Sequence, residues 1–242
     1  RYTPSGLVTD AVTSIMIDAG NPTHAFNLEP APNGSQVNLG HEGNTPAASL
    51  STTSQTLFIR SYNDGGNVSG TNVVLRWDVR GDFTGTTVQV RLSSNNGLSW
   101  IGLASNIPTY NLQYAFNSLT VSSGFNYIWS VVYEPQPGIN TRSDLPFAVR
   151  NTNFAFYVND DSLAGDTYAT AIGIATNTGL SPNQPKRHLR DVLEAYDLEP
   201  GDWVYIDTGT YALGDVTRID QEDTGNATNP VYIVGSTNTS LG

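Results

Sequence analysis

The chain contains no cysteine, one lysine (Lys186) and one methionine (Met16) among 242 residues. It also has no apolar run approaching the ~20 residues of a membrane-spanning helix. Each scarcity removes a class of function. Without cysteine there is no disulfide framework, no thiolate zinc site and no thiol nucleophile; redox compartment stays open, because exported bacterial β proteins and cytosolic ones both fit. A formal net charge of −11 with so few bases argues against nucleic acid and against insertion into or binding on an acidic membrane. It also disfavours uronic-acid polymers. His24, His41 and His188 are isolated, with no pair at metal-ligand spacing. No phosphate loop, nucleophile elbow or Ser/His/Asp grouping is present, and adjacent carboxylates such as Glu222 and Asp223 point apart in a turn, so the chain reads as a non-enzyme. No charged-then-apolar leader opens at Arg1, so an exported protein would carry its leader outside these residues.

What is abundant is turn chemistry and short apolar strands. In residues 1–50, Ile15-Met16-Ile17 reads as a short strand followed by the turn Asp18-Ala19-Gly20-Asn21-Pro22. Then come Glu29-Pro30-Ala31-Pro32-Asn33-Gly34 and the strand-like Val37-Asn38-Leu39. So little core cannot fold alone. Ile17 to Gly20, Glu29 to Gly34, Val37 to Gly40 and Gly43-Asn44-Thr45 resemble the run that closes right-handed parallel β-helix domains of large bacterial surface proteins. The likeness breaks at Ser35-Gln36, and at His41-Glu42, where a small residue and an aromatic are expected. Ala47 to Gln55 reads as a Ser/Thr/Ala linker.

Residues 51–151 change to period-two alternation. Leu57-Phe58-Ile59, Val73 to Trp77, Val88 to Leu92, Tyr114-Ala115-Phe116, Tyr127 to Val132 and Phe147-Ala148-Val149 are short, bounded by Gly, Asn, Asp or Pro, and predict an antiparallel sandwich. Leu75, Trp77, Val88, Val90 and Leu92 take the inward side, leaving Arg76, Gln89 and Arg91 outward. The Gly-rich turn, the strand ending in Trp77, Ser93 to Trp100, and Ser143 to Phe147 resemble bacterial immunoglobulin-like modules. Ser93 to Trp100 is also similar to the sialidase-type Asp box, a structural hairpin, with Asn95 or Asn96 in place of the aspartate.

In residues 152–242 a strand over Phe154 to Val158 precedes the acidic turn Asn159 to Asp166. Leu189, Val192, Leu193 and Tyr196 predict one helix, beginning after Ser181-Pro182, ending at Glu199-Pro200-Gly201, and carrying Lys186, Arg187, Arg190, Asp191 and Glu194 on its outer face. Trp203 to Ile206, Val216 to Ile219 and Val231 to Val234 follow as strands, at a solenoid repeat of roughly 20 to 30 residues. Gly179 to Pro182, Pro185-Lys186, the helix, Pro200 to Ile206 and Thr208 to Tyr211 are similar to the opening of pectate-lyase-like β-helix domains. That resemblance implies a helix lying across the open end of the first coil.

The expected fold is therefore all-β: an immunoglobulin-like β-sandwich flanked by C-terminal and N-terminal pieces of right-handed parallel β-helix, with one short capping α-helix. Calcium is the only cofactor entertained, at Asp160, Asp161 and Asp166, with Asp207, Asp215, Asp220, Glu222 and Asp223 on later turns; turn formation and solvated charge are the commoner roles of such residues, because Asp is intrinsically favoured in turns. Trp77 and Trp129 lie inside strands and read as core, whereas Trp100 and Trp203 are candidates for carbohydrate or partner contact. The order of the segments points to an extracellular or cell-surface structural module, part of a bacterial repeat or adhesion protein, or a filament subunit completed head-to-tail by copies of itself. The alternatives are the non-catalytic portion of a β-helix polysaccharide lyase or glycoside hydrolase, and a carbohydrate-binding module.

Overall fold

The computed structural model describes residues 14, 16–21, 23–31, 33–34, 36–51, 55–212 and 217–238, with the backbone of β1 (Tyr2–Thr3) and β2 (Gly6–Leu7), an antiparallel pair. It is mostly β and divides into two compact units, Arg1–Asn151 and Thr152–Gly242.

Within the first unit, the described part of residues 14–51 holds no regular sheet. Met16 to Asp18 form a turn where a strand was expected, and Ile15 lies outside the described residues. The cause is local: Asp18 has φ +54°, and its N–H donates to Asn38 Oδ1 at 2.7 Å instead of to a neighbouring strand. Two backbone bonds, Gly20 N–H to Val37 and Leu39 N–H to Met16, are the remnant of pairing. Buried polar groups replace an apolar core. Glu29 accepts from the N–H groups of Asn38 and Asn44, Asn38 donates to Ser49, and the Ser51 hydroxyl donates to Asp18 at 2.6 Å. With Ala48 fully buried, these bonds tie down 47–51, which composition alone marked as a linker.

Two sheets of the first unit enclose one core. The first is β3 (Thr56–Ile59), β5 (Val73–Arg80) and β8 (Gln113–Phe116), in the order β3-β5-β8 and wholly antiparallel. The second runs β4 (Asn67–Val68), β11 (Phe147–Val149), β9 (Gly124–Tyr133), β6 (Thr87–Ser93), β7 (Ile101–Pro108), and β10 (Asn140–Arg142) also pairs with β9. Alternation decides what enters the core: Leu75, Trp77, Val88, Val90, Leu92, Trp129 and Val131 are all buried. Full burial of each such side chain stabilises by about 1.5–3 kcal/mol. The indole N–H groups of Trp77 and Trp129 donate to the carbonyls of Thr109 and Ser61, so neither polar atom is stranded.

Strand β7 was not evident from pattern, because Ile101-Gly102-Leu103-Ala104-Ser105-Asn106 alternates poorly. It is an edge strand whose pairing to β6 shifts register twice, with Asn106 at φ +57° and Pro108 at its end. Bulges and proline keep such an edge from pairing with another chain.

The second unit contains β12 (Ala155–Val158), β13 (Trp203–Ile206) and β14 (Tyr232–Gly235), parallel and in register: Phe156, Val204 and Ile233 form one row. The expected strand at Val216 to Ile219 is absent over Thr217 to Ile219, and Val216 lies outside the described residues. The helix is shorter than its apolar stripe suggested. Only α1 (Leu189–Leu193) is helical, with the Asp191 carboxylate accepting the His188 N–H at its start. Lys186 is drawn away from the helix by β12: it exchanges backbone bonds with Tyr157 and Asn159, and its ammonium donates to the Ala175 carbonyl at 3.0 Å. Lys186 is thus buried rather than on an outer helix face. The stripe still packs, with Val192 buried and the Tyr196 ring 4.9 Å from that of Phe156.

Candidate functional site

Three places carry the chemistry singled out in the sequence. The first is the acidic turn after β12. Asp160 accepts the N–H groups of Ser162 and Thr210. Asp207, at the end of β13, accepts four: Thr167 and Thr208 on Oδ1, Tyr168 and Ala169 on Oδ2. Gly209 is glycine for a reason, since a Cβ there would collide with the Asp160 carboxylate. Asp166 receives the Asn159 amide on Oδ2, while its buried Oδ1 has no hydrogen-bond partner. Burial raises the Asp166 carboxyl above the ordinary carboxylate range, and the nearby Asp207 and Asp160 raise it further against the Asn159 bond. The Tyr211 hydroxyl, donating to the Asp207 carbonyl, is pushed up by burial first and by these same three carboxylates next. Asp160 and Asp166 are therefore together, joined by Asp207, whereas Asp161 is exposed and enters none of these bonds. Among the described residues, no group of three or more acidic or histidine side chains is arranged to hold a metal ion. Asp215 lies outside the described residues.

The remaining late carboxylates sit elsewhere in the same unit. Asp220, Glu222 and Asp223 line an open cleft of about 660 Å³, together with Glu194, Asp197, Arg190 and Arg218. Asp223 accepts the Leu198 N–H there, closing the chain after the helix.

The second place is Trp203. Because β12, β13 and β14 are in register, like rings stack on like: Tyr157 on Tyr205 at 5.6 Å, and Trp203 on Tyr232 at 4.1 Å with planes 15° apart. Trp203 is also stacked with Tyr205 at 5.8 Å. The rings form a ladder along the sheet, and Trp203 gives a face to Tyr232 that a sugar ring would need.

The third place is Trp100, which follows a tightly built hairpin. Asn95 takes the central role there: its Oδ1 accepts the Ser93 hydroxyl and the Ser99 N–H, both at 2.9 Å, and its amide donates to Ser99 Oγ. Ser93 Oγ accepts the Gly97 N–H, and Asn96 and Gly97 have φ of +56° and +85°. A Cβ on Gly97 would meet Arg142 Nη1 at 2.8 Å and Trp100 Cζ2 at 3.5 Å. The Arg91 guanidinium lies over the indole, 5.1 Å from its centroid. Arg91, Ser130 and Arg142 were not picked out as site residues. The outward position of Arg91 was legible from alternation, but the register that brings Ser130 and Arg142 beside it was not. No family model matches the chain, and neither a curated protein nor a solved structure matches it.

Proposed function

We propose that this chain is an extracellular structural module of a surface repeat protein or self-assembling filament. In sequence, an immunoglobulin-like sandwich stands between the closing coil of one right-handed parallel β-helix and the first coils of another. The observation that carries this reading is a gradient along one inner row of the parallel sheet: Phe156 and Val204 are fully buried, whereas Ile233, next in the row, is 39% exposed. Tyr232 and Ile219 are exposed as well. A parallel coil buries its apolar row only when a further coil stacks on it, and an uncovered one is a ready pairing edge.

The immunoglobulin-like part is supported by strand order, with β3-β5-β8 facing β11-β9-β6 across one core. It is supported too by Tyr127, near the start of β9, whose hydroxyl donates to the Ser122 carbonyl five residues upstream at 2.7 Å, as in a tyrosine corner. The partner is an adjoining repeat or another copy of the chain; a head-to-tail contact between copies propagates as an open filament unless its rotation closes. Neither arrangement uses catalysis.

The test is negative-stain microscopy from dilute to concentrated protein, with Ile233→Glu alongside and hydrogen exchange read at β14. Filaments with a regular axial repeat, lost in Ile233→Glu, support the filament arm. Single particles with fast-exchanging β14 amides support the adjoining-repeat arm. Single particles whose β14 amides are as protected as those of β13 overturn the proposal, because the row is then already closed.

A further inference from the structure

The outward face of the sandwich carries a second feature that assembly does not use. We propose that the surface around Trp100 binds a carboxylate-bearing saccharide, an isolated uronate among neutral sugars, with Arg91 and Arg142 gripping the carboxylate and Trp100 contacting the sugar ring.

Register builds the site. Gly102 on β7, Arg91 on β6, Ser130 on β9 and Arg142 on β10 stand opposite one another in a single row. Directly opposed residues project to the same face, so two arginines flank a buried serine, and the fourth strand contributes no side chain. The hairpin then folds Trp100 over this row, placing Arg91 on one ring face and Arg142 against Gly97 at the ring edge.

The arginines have donors to spare. Arg91 makes one long bond from Nη2 to Ser130 Oγ at 3.4 Å, and its buried Nε has no acceptor. Among the described residues neither arginine forms an ion pair, although the chain carries 22 carboxylates against 11 bases. Burial alone lowers the Arg91 pKa, with no carboxylate contributing. A planar guanidinium fork left without an anion matches carboxylate geometry bidentately.

Two further observations favour a sugar over an acidic peptide. A uronate joins a carboxylate to a rigid ring with an apolar C–H face, matching a fork that lies 5.1 Å from an indole centroid; an aspartate or glutamate side chain offers only the carboxylate. The floor of the row is Gly102 and Ser130, small or polar, whereas peptide anchors fill apolar pockets. The backbone that presents Trp100 is also preorganised, because the Asn95 bonds hold Ser99, the residue before it, in the hairpin. The net charge of −11 selects sparsely charged glycans, since a dense polyanion is repelled over the ~8 Å Debye length at physiological salt.

The experiment titrates the full chain with an oligosaccharide containing one glucuronate, its glucose counterpart, and a glutamate-containing peptide, read by calorimetry and tryptophan fluorescence. The expected result is saturable binding of the uronate, weaker by roughly tenfold or more for the neutral sugar and in Trp100→Ala. Arg142→Gln, exposed and outside the core, loses the same factor while circular dichroism stays unchanged. Ile233→Glu binds as the parent does, so failure of assembly and failure of this site are separable. Equal binding of the two sugars, tighter binding of the peptide, no saturation, or an Arg142→Gln variant that binds normally would each overturn the proposal.

Discussion

The two units hold themselves together by different physics. The sandwich within Arg1–Asn151 surrounds a continuous apolar core, from Leu57 to Val149, that contains two whole tryptophans. Among the described residues of the second unit the buried apolar ones are few, chiefly Phe156, Val158, Val192, Leu198 and Val204, and buried Asn159, Asp160, Asp202 and Asp207 carry the connections. Asp202, for example, accepts from Phe154 and Glu199, fixing β12 to the turn before β13. Antiparallel strands joined by short turns can bury one face each and need nothing else. Parallel strands need long crossovers, whose backbone N–H groups must find acceptors, and aspartates at strand ends supply them. The segment around Asp18 and Glu29 follows the second pattern although it belongs to the first unit.

This contrast can be broken in four ways, each read segment by segment through hydrogen exchange on the full chain. Trp129→Ala should cost the sandwich about 3–5 kcal/mol in urea unfolding and leave protection of β13 untouched; loss of protection in both would mean the units share one core. Asp207→Ala should strip acceptors from four N–H groups, those of Thr167, Tyr168, Ala169 and Thr208, and destabilise the second unit by about 3 kcal/mol, with fast exchange at Thr167 to Ala169. A change below 0.5 kcal/mol would remove the carboxylate from its central role.

Tyr211→Phe is a smaller lesion, about 1 kcal/mol at neutral pH for one hydrogen bond. The pH dependence is more telling. Because the folded Tyr211 pKa lies above the unfolded one, its contribution is complete below the ordinary tyrosine range and is lost as pH rises through and beyond it. Unfolding of the second unit in alkali should therefore steepen with pH in the parent and less so in Tyr211→Phe.

The smallest effect is expected at Asp18. Burial raises its carboxyl most, Glu29 adds to the rise, and the Ser51 bond and Arg80 oppose it. The folded state thus binds the proton more tightly than the unfolded one. Stability of this segment is greatest below the ordinary carboxylate range and declines as pH climbs through the raised value. Asp18→Asn should flatten that slope, measured as exchange at Gly20 and Leu39 from pH 4 to 7; an unchanged slope would shift the cause elsewhere.

Much of the sandwich was legible because alternation reports burial directly: Leu75, Trp77, Val88, Val90 and Leu92 face the core as their spacing required. Strand β7 was hidden because an edge strand with one half-exposed face need not alternate. The helix was overextended because the apolar positions Leu189 to Tyr196 satisfy a helical period, yet the competing backbone bonds of Lys186 to β12 lie far away in sequence. At the acidic turn, composition placed Asp160, Asp161 and Asp166 together, and only the fold separated Asp161 from the other two and inserted Asp207. At Trp100, the hairpin was readable from Ser93 to Ser99, whereas Arg142 joins it through strand pairing alone.

The residues by themselves determined local matters: an all-β chain, the inward side of the clearly alternating strands, and, with no cysteine, the absence of thiol chemistry in these residues. The tertiary structure decided which strands pair and in what register, hence that Phe156, Val204 and Ile233 share a row and that Arg91, Ser130 and Arg142 share another. The physical reason is range. Side-chain period and turn geometry act over a few residues, while register is set by the joint burial of apolar faces and pairing of backbone groups across long stretches of chain, which no single segment encodes.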